Sequence, residues 1–290
     1  MISIIITAKE EARTAPQAVL AFGQQDFGGE EKEIIVVAPD EETLTAVKRQ
    51  ADIITIRDNG QGKSAALNLA VAKAKGERLI FSDGDVMVER GAIKNLISRD
   101  EALVSGRPIV GQKRDDKFGF WQEVLFKEAD RMRQGRFESG KYFPASGYLM
   151  MVKKSVWEEW QLPEGCLAED EYLSYYVWQK GQKIGYAPEA KVRVKGPENF
   201  GDWARQKIRT LGGAYQVPKE WKRGLAGRSW RQETKEAWRL WQTYGDNWRQ
   251  RYWLFLLFFA RLYVWVMAAY KVVLRRQKRE QIWQRIESTK

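Results

Sequence analysis

The stretch that most constrains this chain is Leu79 to Glu89, LIFSDGDVMVE, where a short apolar run ends in two aspartates separated by one glycine. Leu79, Ile80 and Phe81 read as a buried strand. Such a strand has no room for two carboxylates, so Asp83 and Asp85 belong at its carboxyl end. In open α/β sheets that edge is where ligands bind. Two like charges this close raise each other's pKa unless a cation sits between them and a ligand, and carboxylate oxygens suit Mg2+ or Mn2+. A diphosphate is the natural second partner of such a cation. Taken alone, the same residues also read as a solvated Asp-Gly turn closing a strand.

The surroundings repeat one unit. Ile2–Thr7, Glu33–Ala38, Ile53–Ile56 and Arg78–Ser82 are short runs rich in β-branched residues, and helical patterns separate them, notably Ser64–Lys75. Alternating strands and helices predict a doubly wound, mostly parallel α/β sheet with its crevice at the strand ends. Each strand delivers polar residues at its exit: Glu10 and Glu11 after the first, Asp40 after the second, Asp58, Lys63 and Ser64 after the third, and the two aspartates after the fourth. No GxGxxG follows any of these strands. GQGKS is not a P-loop, because Arg57 stands where the first glycine is required. It leaves Lys63 opening a helix, where its ammonium and the helix amino end can meet phosphate.

Composition removes several chemistries. The chain has no histidine, which excludes an imidazole zinc site, a Ser-His-Asp triad and a Cys-His pair. Acid/base work falls to carboxylates, Lys or Tyr. The single cysteine, Cys166, excludes a disulfide framework and makes a reducing, cytosolic setting the default. Met1 leads directly into ISIIIT, so secretion is not expected.

The order TAKEE, APDEET, GKSAALN, FSDGDV and AEDEYL resembles glycosyltransferase family 2, the inverting GT-A fold enzymes, over about residues 1–215. The resemblance implies nucleotide contacts at Thr7, Glu10, Glu11 and Asp40, phosphate contact at Lys63, and a metal-binding pair in Asp83 and Asp85. It also implies a general base at Asp170, in the helical pattern Leu167–Gly181 that follows the small turn Ser146-Gly147 and the buried run Tyr148–Val152. Here Thr7-Ala8-Lys9-Glu10-Glu11 stands where the family carries a Pro-Ala-x-Asn-Glu type sequence. Later, WARQKIRTLGG matches the Gln-Arg-x-Arg-Trp helix of processive members only at Gln206 and Arg209; Lys207 or Arg209 can reach the diphosphate. The implied donor is a nucleoside-diphosphate sugar, of UDP type by resemblance; the expected acceptor is a glycan or, where the basic tail described below seats the enzyme on a bilayer, a lipid-linked group. Two other classes share some of these features. One is a sugar nucleotidyltransferase, which needs a glycine-rich first loop that TAKEEARTA does not supply. The other is a basic aromatic protein that binds single-stranded nucleic acid, a partner not expected beside so long an apolar run.

Lys and Arg balance Asp and Glu at 32 against 32 over residues 1–218, then outnumber them 17 to 6 over 219–290. This divides the chain into a catalytic part, 1–215, and a basic, Trp-rich helical tail, 216–290. The balanced front is expected to fold by itself. Trp230, Trp238, Trp241 and Trp248 share one side of a helical wheel, with Arg231, Lys235 and Arg239 opposite, as suits an anionic bilayer surface. Tyr252–Leu274 is long enough to cross a hydrocarbon core of about 30 Å. Arg249 and Arg251 before it, and Arg275, Arg276, Lys278 and Arg279 after it, leave a basic cluster on the wrong side in either orientation. The reading is a membrane-associating tail on the cytoplasmic face, lying in or dipping into the leaflet.

Overall fold

The computed structural model describes residues 1–275 apart from 51, 159 and 226–229. The first half runs β1 (Ile2–Thr7), α1 (Ala15–Gly23), β2 (Lys32–Ala38), α2 (Glu41–Lys48), β3 (Ile53–Arg57), α3 (Lys63–Val71) and β4 (Arg78–Asp83). Then come β5 (Val86–Val88), α4 (Ala92–Ile97), β6 (Leu103–Val110), α5 (Lys117–Glu138), β7 (Leu149–Lys153), α6 (Ser155–Glu158), α7 (Glu169–Gln179) and β8 (Ile184–Val194). Helices α8 (Phe200–Gln216), α9 (Trp230–Tyr244) and α10 (Trp248–Ala268) complete the described chain, with a π-helical turn over Ala269–Leu274.

All eight strands form one sheet in the order β3-β2-β1-β4-β7-β6-β8-β5. The first four are mutually parallel, as the sequence predicts. Beyond β4 the sheet is mixed, because β7 runs antiparallel to both β4 and β6 while β8 lies parallel to β6. Alternation along the central strands sends side chains into two cores. Ile4, Ile6, Ile34, Val36 and Ile80 pack beneath α1, α2 and α4. Ile5, Ile35, Leu79 and Phe81 face α3, α6 and α7 on the other side. Both faces of β1 and β4 are covered, which explains the apolar centres Ile4–Ile6 and Leu79–Phe81; buried Ser3 is accommodated by donating to Glu33 of β2.

A third core departs from the division read from the sequence. Trp121 and Val124 of α5 and Trp203, Ile208 and Leu211 of α8 pack against Leu254, Leu257, Ala260 and Val264 of α10. The Trp121 indole N–H also donates to the Trp253 carbonyl at 2.8 Å. The tail is therefore seated on the sheet-bearing part. The single wheel from Trp230 to Trp248 does not hold, because the helix stops at Tyr244. Gly245 fits there since a Cβ would fall 2.4 Å from the Trp241 carbonyl oxygen, and Asn247 caps α10 through the Gln250 N–H. Trp248 thus begins a new helix. Arg239, expected to face the membrane headgroups, instead pairs with Glu128 of α5, which also accepts from the Tyr244 hydroxyl at 2.9 Å. Trp221 packs edge-on against Tyr172 of α7. Arg276, Lys278, Arg279 and Trp283 lie outside the described residues, as do the side chains of Trp230, Arg231 and Lys235.

Candidate active site

The parallel register sets Thr7 directly beside Asp83, so the exits of β1 and β4 open together. The Thr7 hydroxyl lies 3.4 Å from Asp83 Oδ1. After Asp83 the backbone turns back over β1, and the Gly84 N–H donates to the Thr7 carbonyl at 3.0 Å. Glycine is required here by space: a Cβ would fall 2.4 Å from Glu11 Oε2 and 2.9 Å from the Ala8 methyl. The two aspartates consequently flank a turn pressed onto the β1 exit, with buried Glu11 beneath it.

Asp40 has an internal task. Its Oδ2 accepts from the Glu10 N–H at 2.7 Å and its Oδ1 from the Thr43 N–H at 2.9 Å, so it caps α2 and ties that helix to the β1 exit loop. Burial opposes ionisation, but these hydrogen bonds hold the Asp40 carboxyl below its ordinary value. Glu10 sits at φ 54°, a left-handed conformation that the same bond fixes. Glu11 N–H donates to the Thr43 hydroxyl at 2.8 Å. Asp40 thus supports the β1 exit loop, and each of its oxygens keeps a further lone pair for the nucleotide contact implied by the resemblance.

Lys63 is the hub. It opens α3 directly after Gly62, whose φ of 104° turns the chain into the helix. Its ammonium lies 2.6 Å from Asp83 Oδ1 and 3.0 Å from Glu169 Oε1. Burial disfavours the charged ammonium, yet Asp83 and Glu169 outweigh it and raise the Lys63 pKa. For Glu169 burial again pulls upward, and Lys63 overrides it to hold the carboxyl below its ordinary value.

Asp170 is held at the same end of α7. Its Oδ2 accepts from the Gly147 N–H at 2.9 Å and its Oδ1 from the Glu171 N–H at 2.8 Å. Ser174, one turn on, donates to the Asp170 carbonyl while its oxygen accepts from the Ala145 N–H, which staples the Ala145–Gly147 turn to α7. A Cβ on Gly147 would approach Asp170 Oδ2 to 3.1 Å, so the small-residue turn leaves the carboxylate its room. Burial, followed by the charge of Glu169, raises the Asp170 pKa. A carboxyl with a raised pKa is a stronger base once ionised, and that suits proton abstraction.

Asp85 is pushed up to about 7 by burial and by the charge of Asp83, against the pull of Lys63 and Arg209. Arg209 reaches the site from α8, where its charge acts on Asp85, Glu169 and Tyr148. One turn earlier the Gln206 amide donates to the Tyr148 hydroxyl at 3.3 Å. Burial and the charges of Asp85 and Asp83 keep Tyr148 protonated far above its usual range. Tyr148 and Glu169 are the two members of the cluster that sequence reasoning left out. Each adjoins a residue it did choose: Glu169 precedes Asp170, and Tyr148 follows Ser146-Gly147.

Asp83, Asp85, Glu169 and Asp170 thus face Lys63 and Arg209, and the carboxylates outnumber the cations by two. The surplus, together with the raised pKa of Asp85, fits a divalent cation. Among the described residues no three acidic, His or Cys side chains form a complete metal cage. Mg2+ or Mn2+ held by one or two carboxylates, with phosphate oxygens and water filling the remaining positions, does not require such a cage.

The fold and site together define an α/β enzyme with an acidic crevice at the ends of its parallel strands. The sequence model of "Glycosyl transferase family 2" matches residues 3–160, and that of "Glycosyl transferase family group 2" matches residues 95–276. The chain belongs to glycosyltransferase family 2. It is 25% identical over 201 residues to the poly-β-1,6-N-acetyl-D-glucosamine synthase of Staphylococcus aureus, covering 65% of this chain and 48% of that protein. To the probable glycosyltransferase YdaM of Bacillus subtilis it is 26% identical over 237 residues, covering 74% and 56%. The chain therefore spans about half the length of these curated relatives. Among solved structures, the mannosyltransferase PcManGT of Pyrobaculum calidifontis, in complex with GDP-Man and Mn2+, superposes with a TM-score of 0.67 at 18% identity, over 95% of this chain and 88% of that one. TarS of S. aureus with UDP-GlcNAc superposes at 0.51 with 14% identity, over 84% and 73%. These likenesses confirm the GT-A-like fold. Family membership favours a glycosyltransferase over the two other classes that the sequence left open.

Proposed function

We propose that the enzyme transfers a sugar, with inversion, from a nucleoside-diphosphate sugar to a hydroxyl of a lipid-linked or saccharide acceptor. The observation that carries this reading is the juxtaposition of Lys63, bridging Asp83 and Glu169, with an Asp170 carboxylate held by the Gly147 N–H. Asp85, assisted by Asp83, would hold Mg2+ or Mn2+, which neutralises charge on the departing diphosphate. Lys63 and Arg209 supply further positive charge to the same phosphates. Asp170 accepts the acceptor hydroxyl proton as that oxygen attacks the anomeric carbon; the bond from that carbon to the diphosphate oxygen breaks, and the nucleoside diphosphate leaves. Thr7, Glu10 and Glu11 line the nucleotide end of the crevice, with Asp40 holding their loop. Both nucleotide classes seen in the structural neighbours, GDP-Man and UDP-GlcNAc, are compatible with this machinery, and UDP is the expected one by the sequence resemblance.

A screen of nucleotide sugars, with and without Mn2+, for release of nucleoside diphosphate tests the proposal in membranes carrying the protein. Metal-dependent release with one donor is expected, and its loss in Asp85→Asn. Undiminished metal-dependent release by Asp85→Asn would overturn the metal assignment. In Asp170→Asn, donor binding should persist while transfer collapses; unchanged transfer would remove Asp170 from the chemistry.

A further inference from the structure

Helix α10 has two faces with different fates. Leu254, Leu257, Ala260, Val264 and Ala268 are buried against α5 and α8. The opposite face carries Tyr252, Phe255, Phe259, Tyr263 and Val266, each between 44% and 60% exposed, and it begins at Trp248, which is 80% exposed. At 100° per residue these side chains fall in one stripe. The stripe runs along a helix of about 30 Å. So large an exposed apolar surface requires a partner.

The charges choose between the two obvious partners. Arg249, half exposed and ion-paired with Asp115, and Arg251 stand at the start of α10, and Lys271 and Arg275 lie in and just after the π-helical turn that follows it. A second copy of the chain would bring basic ends together whether the helices paired parallel or antiparallel. An anionic lipid surface satisfies both ends at once, and Tyr, Trp and Phe are suited to the headgroup boundary. We infer that α10 is an in-plane membrane helix: its inner face belongs to the protein core, and its Trp248–Val266 stripe sits in the headgroup region of an anionic bilayer. It cannot cross the bilayer without giving up the contacts of Leu254, Leu257 and Val264 with Trp121, Trp203 and Leu211. Helix α8 separates this stripe from the crevice, with Gln206 and Arg209 toward the site and Ile208 and Leu211 toward α10. The acceptor hydroxyl would then be presented one helix layer from the lipid surface, which favours an acceptor carried by a lipid. That last step rests on the proposed glycosyl transfer; the docking does not.

The test uses full-length protein and vesicles of phosphatidylglycerol in phosphatidylcholine, without donor sugar. Cysteines introduced at Tyr252, Phe259 and Val266, and at exposed Leu20 of α1 as a control away from α10, are labelled with an environment-sensitive fluorophore and quenched by lipids spin-labelled at known depths. Equal, shallow depths for the three stripe positions with no quenching at Leu20 are expected. A graded depth along 252, 259 and 266 would mean a spanning helix and overturn the inference. Phe255→Ser with Phe259→Ser should weaken vesicle binding at least about tenfold, with the circular dichroism spectrum and melting unchanged. Retained binding in that variant would overturn the stripe assignment. Absence of vesicle binding together with a concentration-dependent dimer, dissolved by the same substitutions, would assign the stripe to a second copy. Normal docking in a protein that releases no nucleoside diphosphate from any donor would overturn the transferase reading alone.

Discussion

Lys63 shows how one side chain can hold a site ready for a ligand. Its ammonium sits between Asp83 and Glu169, and replacing it by Met leaves two carboxylates facing each other in a largely enclosed place. Breaking such a pair costs about 3–5 kcal/mol, so Lys63→Met should lower the melting temperature as well as abolish transfer. A variant that melts normally would mean that water already screens these charges. Asp85 makes a second prediction through pH. Its carboxyl keeps its proton up to about 7 in the folded protein, whereas the ordinary value is 3.8. The folded state therefore binds more protons than the unfolded state between those values, and the metal-free protein should lose stability as pH rises through that window. A divalent cation needs the ionised form, so added Mn2+ should stabilise more at pH 8 than at pH 5. Melting curves in chelator and in Mn2+ across that range check both signs; a Mn2+ shift independent of pH would remove Asp85 from the metal.

At the scale of elements, the site depends on how closely α8 approaches the start of α7. Gly213 of α8 lies against Ala168, where a Cβ would meet the Ala168 methyl at 2.3 Å and its backbone nitrogen at 2.9 Å. Gly213→Ala must push the two helices apart, costing about 1–3 kcal/mol and moving Arg209 relative to Glu169 and Asp170. Transfer should fall more than donor binding; an unchanged rate would show that the Arg209 position is not critical. The sequence made the carriers of this geometry partly readable. Strands β1, β2 and β4 are legible because short runs rich in Ile, Val, Leu and Phe are what a sheet covered on both faces demands, and the edge strand β3 is legible from its β-branched residues. Lys63, Asp83, Asp85 and Asp170 are legible because each follows a strand end or opens a helix. Strand β6 is not, since Gly106 and Pro108 break its pattern; the structure accommodates them with a register shift between Ser105 and Arg107. Glu169, Tyr148 and the internal task of Asp40 depend on which distant backbone groups the fold brings near, and local pattern carries no record of that. The same holds for α10, whose apolar length and basic flanks suit a membrane surface but give no sign that α5 and α8 bury one of its faces.

For the whole molecule, the charge boundary near residue 218 does not coincide with a break in packing, because α5, α8 and α10 share the third core. Removing residues 219–290 would uncover Trp121, Val124, Trp203, Ile208 and Leu211, which α10 covers in the third core. At about 1.5–3 kcal/mol for each large side chain returned to water, the loss rivals the ~5–15 kcal/mol that holds a typical protein folded. The truncated chain should therefore aggregate or melt well below the full-length protein, contrary to the independence that its balanced charge leads one to expect. Point variants separate this packing from membrane docking. Leu257→Ala on the inner face should cost about 2–5 kcal/mol in the absence of any lipid, whereas Phe259→Ser on the outer face should leave the lipid-free melt unchanged. Because α8 carries Arg209 toward the crevice and Ile208 and Leu211 toward α10, Leu257→Ala should also loosen donor binding, measured by titration with nucleoside diphosphate and Mn2+. A monomeric truncated chain with full-length stability and donor affinity would show instead that α10 rests on the catalytic part without supporting it.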